Sequence, residues 1–283
     1  MVMKGHFLGS GLGACLALAL ALFVTCKGAA MSPVEPDPAQ SDKISKDVWE
    51  SLAKKKIYFG HMSVGFNILD GVRDLMPETR GAKLNIVETA DPAAFDEPIF
   101  AHSPIGKNGY PLSKLEQFRT ILESGVGDKA DIAFFKFCYV DIHGGTDIDA
   151  LIKAYDETIQ ALQARFPKLT IAVVTAPLTA VPTGFKTGLK KLLGQGEPDK
   201  AANVKRELFN AHLREKYGKL VYDLAALEST LQTGERATFE VDGKTYYAMW
   251  PPYTDDGGHL SAEGRRIAAA GLIRFLAGLG PRS

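Results

Sequence analysis

From residue 46 onward the chain alternates short apolar runs, rich in β-branched and aromatic residues, with longer segments of helical period. The runs are Ile57-Tyr58-Phe59, Leu84-Asn85-Ile86-Val87, Ile132-Ala133-Phe134-Phe135, residues 169–174 and Leu220-Val221-Tyr222. Each is short and apolar on both faces, as strands buried inside a parallel sheet are. Residues 112–122 and 148–162 repeat apolar side chains at helical spacing; in the second, Ile148, Leu151, Ile152, Tyr155, Ile159 and Leu162 form the stripe and charges the other face. Thr146 or Asp147 is placed to cap that helix, and Pro167 follows its end. Further helices are expected over 67–75 and 262–279. A β-α-β-α alternation of this kind predicts an α/β fold whose mostly parallel sheet is sandwiched by helices, with ligands bound off the carboxyl ends of the strands. Two segments interrupt the alternation. Residues 177–200 contain Gly184, Gly188, Gly194 and Gly196, and within 230–252 the stretch Phe239 to Tyr247 predicts a hairpin turning at Asp242-Gly243. Both lie where a lid would lie.

The beginning of the chain follows another pattern. A short segment carrying Lys4 precedes an acid-free apolar stretch, residues 8–24, which predicts an export signal over 1–30. Three outcomes stay open: cleavage after Gly28-Ala29-Ala30, lipidation of Cys26 at the end of the apolar run, which would attach the protein to a membrane, or retention of the apolar stretch as an uncleaved anchor. Residues 31–45, with Pro33, Pro36 and Pro38 among polar residues, predict a tether, leaving 46–283 as the folded domain. The expected location is therefore periplasmic, membrane-anchored or secreted.

Composition narrows the function. With 33 Lys+Arg against 33 Asp+Glu the chain is neutral, and losing Lys4 and Lys27 with the signal hardly changes that, so neither nucleic acid nor an anionic membrane is expected as the main partner. Three cysteines, Cys15, Cys26 and Cys138, provide no disulfide framework and no cysteine zinc cluster. Cys138, flanked by Phe137 and Tyr139, predicts a buried thiol. The histidines His61, His102, His143 and His212 lack His-x-His or His-x-x-x-His spacing, and no Gly-rich dinucleotide or phosphate loop follows a strand. No cofactor or metal is expected.

Two segments can carry chemistry. Gly60-His61-Met62-Ser63-Val64-Gly65 stands directly after the first strand and before a helix, so Ser63 would lie at the sheet's carboxyl edge beside free helix N–H groups, as a nucleophile or as a plain helix cap. Tyr253-Thr254-Asp255-Asp256-Gly257-Gly258-His259 leads into the last helix. A carboxylate three residues before a histidine can hold one imidazole nitrogen while the other faces a serine; Asp256 has that spacing, with Asp255 as the fallback. A loop with a calcium-like or merely solvated pair of aspartates is the alternative.

A serine after the first strand and Asp-x-x-His before the last helix, in an α/β chain of this size, resemble the SGNH (GDSL-like) hydrolase family over most of residues 50–280. The first block departs from the family's Gly-Asp-Ser, and Cys138-Tyr139-Val140-Asp141 stands where the family has Gly-x-Asn-Asp. The resemblance implies a flavodoxin-like three-layer α/β/α fold and a serine esterase with Ser63 as nucleophile, His259 as base and Asp256 as its orienting acid. It also implies an oxyanion hole, for which the N–H of Ser63 and the loop residues Gly106 and Asn108 are the expected donors. Asp141 is expected to orient that loop or bind substrate, and His61 and Tyr253 to line the pocket. The expected substrates are small-molecule or glycan acyl esters, O-acetylated glycans or lipids of the envelope or environment among them. The alternatives are an O-acyltransferase using the same triad and a non-catalytic glycan-binding envelope protein.

Overall fold

A computed structural model describes residues 44–77, 82–181 and 197–279, all within the unit Pro36–Ser283. The expected signal 1–30, the tether 31–45 save its last two residues, Cys26, and most of the 177–200 segment lie outside the described residues.

Helix α1 (Lys46–Leu52) leads into β1 (Lys56–His61) and α2 (Val64–Leu75). Then come β2 (Ile86–Glu88), β3 (Ile99–Pro104), α3 (Pro111–Ile121), β4 (Ile132–Phe135), α4 (Ile148–Arg165), β5 (Thr170–Ile171) and β6 (Val173–Val174). The chain continues through α5 (Glu197–Tyr217), β7 (Val221–Tyr222), α6 (Leu224–Ser229), the hairpin β8 (Thr238–Val241) and β9 (Lys244–Tyr247), and α7 (Ala262–Gly278). Five parallel strands form a sheet in the order β2-β3-β1-β4-β5, and β6 pairs in parallel with β7.

Alternation along the strands builds the two faces. Ile57 and Phe59 of β1, Ile132 and Phe134 of β4, and Ala172 and Val174 pack with Trp49 of α1, Ile68, Leu69 and Val72 of α2, and Ala269, Leu272 and Ile273 of α7. Tyr58, Ala133 and Phe135 point the other way, onto Leu115 and Phe118 of α3, Leu151, Tyr155 and Ile159 of α4, and Phe209 and Leu213 of α5. The result is a three-layer α/β/α sandwich. On the first face α2 and α7 meet at Gly71, where a Cβ would stand 2.4 Å from the carbonyl oxygen of Arg265, so only glycine permits that approach.

Three expectations shift. The 169–174 run is two short strands interrupted at Ala172, whose N–H bonds to the Ala133 carbonyl. Strand β3, interior to the sheet between β2 and β1, is not among the expected strands because His102, Ser103 and Pro104 interrupt its apolar run. The final residues of the 177–200 segment belong to α5, a helix the pattern did not predict.

Topology decides where function falls. From β1 the chain crosses to the edge strand β2, returns inward to β3 beside β1, and then passes to the opposite side of β1 for β4 and β5. The carboxyl end of β1 is therefore the point where the connections diverge, the place where open α/β sheets hold ligands.

Behind this edge sits Glu228 of α6, 2% exposed, whose Oε2 accepts the Leu178 N–H at 2.7 Å. Burial is the main cause that raises its pKa from 4.5 to about 8. A folded-state pKa above the unfolded value means stability that is complete below pH 4.5 and lost as the pH rises toward about 8. Urea unfolding at pH 5 and pH 8 should show a smaller loss across that window in Glu228→Gln than in the wild type; equal losses would contradict this account.

Candidate active site

The chain turns sharply where β1 ends. Ser63, between β1 and α2, has φ 50° and ψ −111°, a left-handed backbone that costs a non-glycine residue about 1–3 kcal/mol. It occupies the N-cap position of α2, yet its side chain makes no capping bond. Its Oγ instead lies 2.6 Å from His259 Nε2. Gly65 makes the turn sterically feasible: a Cβ there would fall 2.3 Å from the His61 ring. The N–H groups of Ser63 and Val64, at the start of α2, donate to no acceptor among the described residues, as a helix start leaves them.

The histidine arrives on a tightly cross-tied loop. Asp256 Oδ2 lies 2.6 Å from His259 Nδ1, while Asp256 Oδ1 accepts the backbone N–H groups of Gly258 at 2.9 Å and His259 at 2.8 Å. These bonds, that of the imidazole foremost, hold the Asp256 carboxyl well below the usual carboxylate range. An ionised carboxylate only accepts, so Nδ1 carries the proton and Nε2 is left to accept from the Ser63 hydroxyl. Leu260 N–H donates to Asn67 Oδ1 of α2 at 3.3 Å, and Ser261 caps α7 through the Gly264 N–H. The structure thus brings Ser63, His259 and Asp256 into one hydrogen-bonded line, with Asp256 rather than Asp255 against the imidazole.

The loops beside β1 are joined from below. Ile105 N–H bonds to the His61 carbonyl and Lys136 N–H to the Gly60 carbonyl, so the segments after β3 and β4 flank Ser63. Lys114 and Asp141, both with fully buried side chains, pair at 2.6 Å beneath them. Asp141 also accepts the N–H of Gly109 and of Cys138, and Lys114 also donates to Asn108 Oδ1 at 3.0 Å. Cys138 is a buried thiol whose Sγ lies 3.6 Å from the Met62 carbonyl, directly under the turn that carries Ser63.

Several expected roles change. Asp141 is 1% exposed and spends its oxygens inside the protein, so it orients the 106–109 loop and does not reach substrate. His61 is fully buried, with Nε2 3.1 Å from His102 Nδ1, and burial foremost, then Lys136, pushes its pKa down to about 2; it is a neutral core residue, not a pocket wall. Tyr253 is 2% exposed, donates its hydroxyl to the Thr230 carbonyl and backs α7 at Gly264, so it too is no pocket wall. The Gly106 N–H donates to Gln117 Oε1 at 2.6 Å and is not free for an oxyanion. Asn108 is exposed, and its Nδ2 makes no hydrogen bond among the described residues while Lys114 holds its Oδ1. Sequence reasoning missed Lys114 and Gln117, the polar groups that hold the loop after β3.

Among the described residues no group of three or more His, Cys, Asp and Glu side chains could hold a metal ion. A cavity of about 440 Å³ lies at the opposite, amino edge of β1 and β4, lined by Asp47, Glu50, Ser51, Lys54, Lys55 and Asp131, and touches no residue of the Ser-His-Asp line.

No family model matches the chain, and no curated protein does. Among solved structures it is similar to an acetyl xylan esterase, at 18% identity over 76% of this chain and 96% of that one, with a TM-score of 0.44. It is also similar to a lipase/acylhydrolase from Enterococcus faecalis, at 14% identity over 81% of this chain and 99% of that one, with a TM-score of 0.45.

Removing Lys114 would leave Asp141 as an unpaired buried charge. Lys114→Met is expected to lower unfolding stability by about 3–5 kcal/mol in urea titration. A loss under about 1 kcal/mol, the range of an exposed pair, would contradict the buried role.

Proposed function

We propose that the protein is a serine-dependent ester hydrolase. The observation that carries this reading is the continuous Ser63–His259–Asp256 line, in which each member is oriented by the next. His259 Nε2 takes the Ser63 proton as Oγ attacks an ester carbonyl, and the imidazolium is stabilised by Asp256. The carbonyl oxygen gains negative charge beside the Ser63 and Val64 N–H groups at the positive end of α2, with the Asn108 amide as a third donor. Collapse of the tetrahedral intermediate expels the alkoxide, to which His259 returns the proton, and leaves an acyl group on Ser63. Water, activated by the same histidine, then releases the acid.

The substrates we propose are acyl esters on glycans or lipids of the cell envelope or its surroundings. Supporting this, the apolar 8–24 stretch and the Pro-rich 31–45 segment suit an exported protein, anchored through Cys26 or released. The side chains of His259 and Asp256 are 44% and 55% exposed in the structure, and Phe66, three residues after Ser63, and Val140, in the turn after β4, offer exposed apolar surface. An accessible triad suits an acyl group carried on a large molecule.

Hydrolysis of p-nitrophenyl acetate by the soluble domain tests the reading. Ser63→Ala and His259→Ala are each expected to lower kcat by about 10³-fold or more, and Asp256→Asn by up to about 10⁴-fold. Undiminished turnover in Ser63→Ala would contradict it. Adding acetylated glycan with a second glycan as acceptor separates hydrolysis from transfer to a sugar.

A further inference from the structure

The loop carrying His259 is held from two sides, and both supports converge on one buried cation. Arg206 of α5 is 3% exposed. Its Nε donates to the carbonyls of Tyr139 at 3.0 Å and Ile142 at 3.1 Å, and its Nη2 donates to Tyr139 again at 2.7 Å. On its other edge Nη1 donates to Thr179 Oγ1 at 3.0 Å and Asn203 Oδ1 at 2.6 Å. Asn203 in turn brackets Thr179, accepting its N–H at 3.0 Å and donating Nδ2 to its carbonyl at 2.8 Å.

Each segment so fixed bears on the histidine. The Tyr139 ring stands edge-on to the His259 imidazole, with centroids 5.6 Å apart and planes at 82°. The same ring packs on Gly258 so closely that a Cβ there would be 2.6 Å from it. On the other side the N–H of Ala180, next to Thr179, donates to the Gly257 carbonyl at 2.9 Å. One contact sets the plane of the imidazole and the other sets the loop that carries it.

We infer that Arg206 is a positioning residue for His259: its planar fork locks the 139–142 turn to the Thr179–Ala180 segment, and the two together fix the imidazole against Ser63. The inference rests on the hydrolase reading for its consequence, though not for its geometry. Burial lowers the Arg206 pKa to about 10, so the cation persists at neutral pH. Lysine cannot reproduce the arrangement, because a single ammonium lacks the second edge of the fork.

The test compares wild type, Arg206→Met, Arg206→Lys and Tyr139→Leu, each checked for cooperative unfolding. Two readouts are followed: the rate at which a fluorophosphonate labels Ser63, and the low-field proton NMR signal of His259 Nδ1–H. Arg206→Met is expected to slow labelling about 10- to 100-fold, as displacements near 1 Å do, with Arg206→Lys intermediate and the Nδ1–H signal broadened or lost. Tyr139→Leu keeps the carbonyl that Arg206 grips while removing the ring, and should also slow labelling; it decides the matter if Arg206→Met does not fold. Labelling within roughly twofold of wild type in folded Arg206→Met or in Tyr139→Leu would overturn the inference. Failure of the wild type to label at Ser63 would overturn the hydrolase reading instead. The Nδ1–H comparison then decides Arg206 by itself: loss of the signal in the variant supports the role, and an unchanged signal refutes it.

Discussion

The parallel pairing of β1 with β3 on one side and β4 on the other is the constraint on which the site depends. Gly60 and His61 are matched to Ser103 and Pro104 across one edge, and Gly60 to Phe135 across the other, so three strands end together. Whatever follows each strand is then delivered to the same small region. Ser63 follows β1, the 106–109 loop follows β3 and the 138–142 turn follows β4. The left-handed Ser63 is the one backbone departure that lifts the hydroxyl out of the strand and into the path of His259. Helix α7, packed on α2, brings the histidine loop from the far end of the chain to meet it.

Charge buried behind this edge does the positioning. Lys114 with Asp141 joins the loops after β3 and β4, and Arg206 joins the turn after β4 to the segment after β6. Such groups are costly to desolvate, and an isolated buried ion pair is poor evidence of net stability. Here both oxygens of Asp141 and one edge of the Arg206 fork meet backbone groups in loops beside the triad. Their effect is specificity of geometry: each loop conformation that satisfies the buried charge is also one that presents the reacting groups.

Much of this was legible in the sequence, and the unread part has a common physical cause. The apolar runs at 57–59 and 132–135 identified β1 and β4 because central parallel strands are apolar on both faces, and Asp242-Gly243 identified the hairpin through its turn geometry. The serine and the Asp-x-x-His spacing were readable because local chemistry places them. Strand β3 was obscured by His102 and Ser103, polar residues satisfied by His61 and Tyr58 inside the core. Periodicity cannot register a partner that is 41 or 45 residues away. The same limit misassigned His61, Tyr253 and Gly106 as contacts for a ligand and left Asp141 between orienting a loop and binding substrate, since a residue beside a catalytic motif looks alike whether it faces outward or inward. A signal was present even so: Lys114 falls among the apolar positions of its helix, and Lys136 within the run Ile132 to Cys138. Charges set in apolar stretches mark buried networks.

The central claim is that Ser63 becomes covalently acylated with His259 as its base. Mixing the soluble domain with p-nitrophenyl acetate, quenching in acid within the first turnover and mapping the acetyl group by peptide mass spectrometry tests it directly. The account predicts acetyl on the peptide containing Ser63 in the wild type and none in His259→Ala over the same interval. Acetyl found only on other residues, or equally on Ser63 without the histidine, would contradict it.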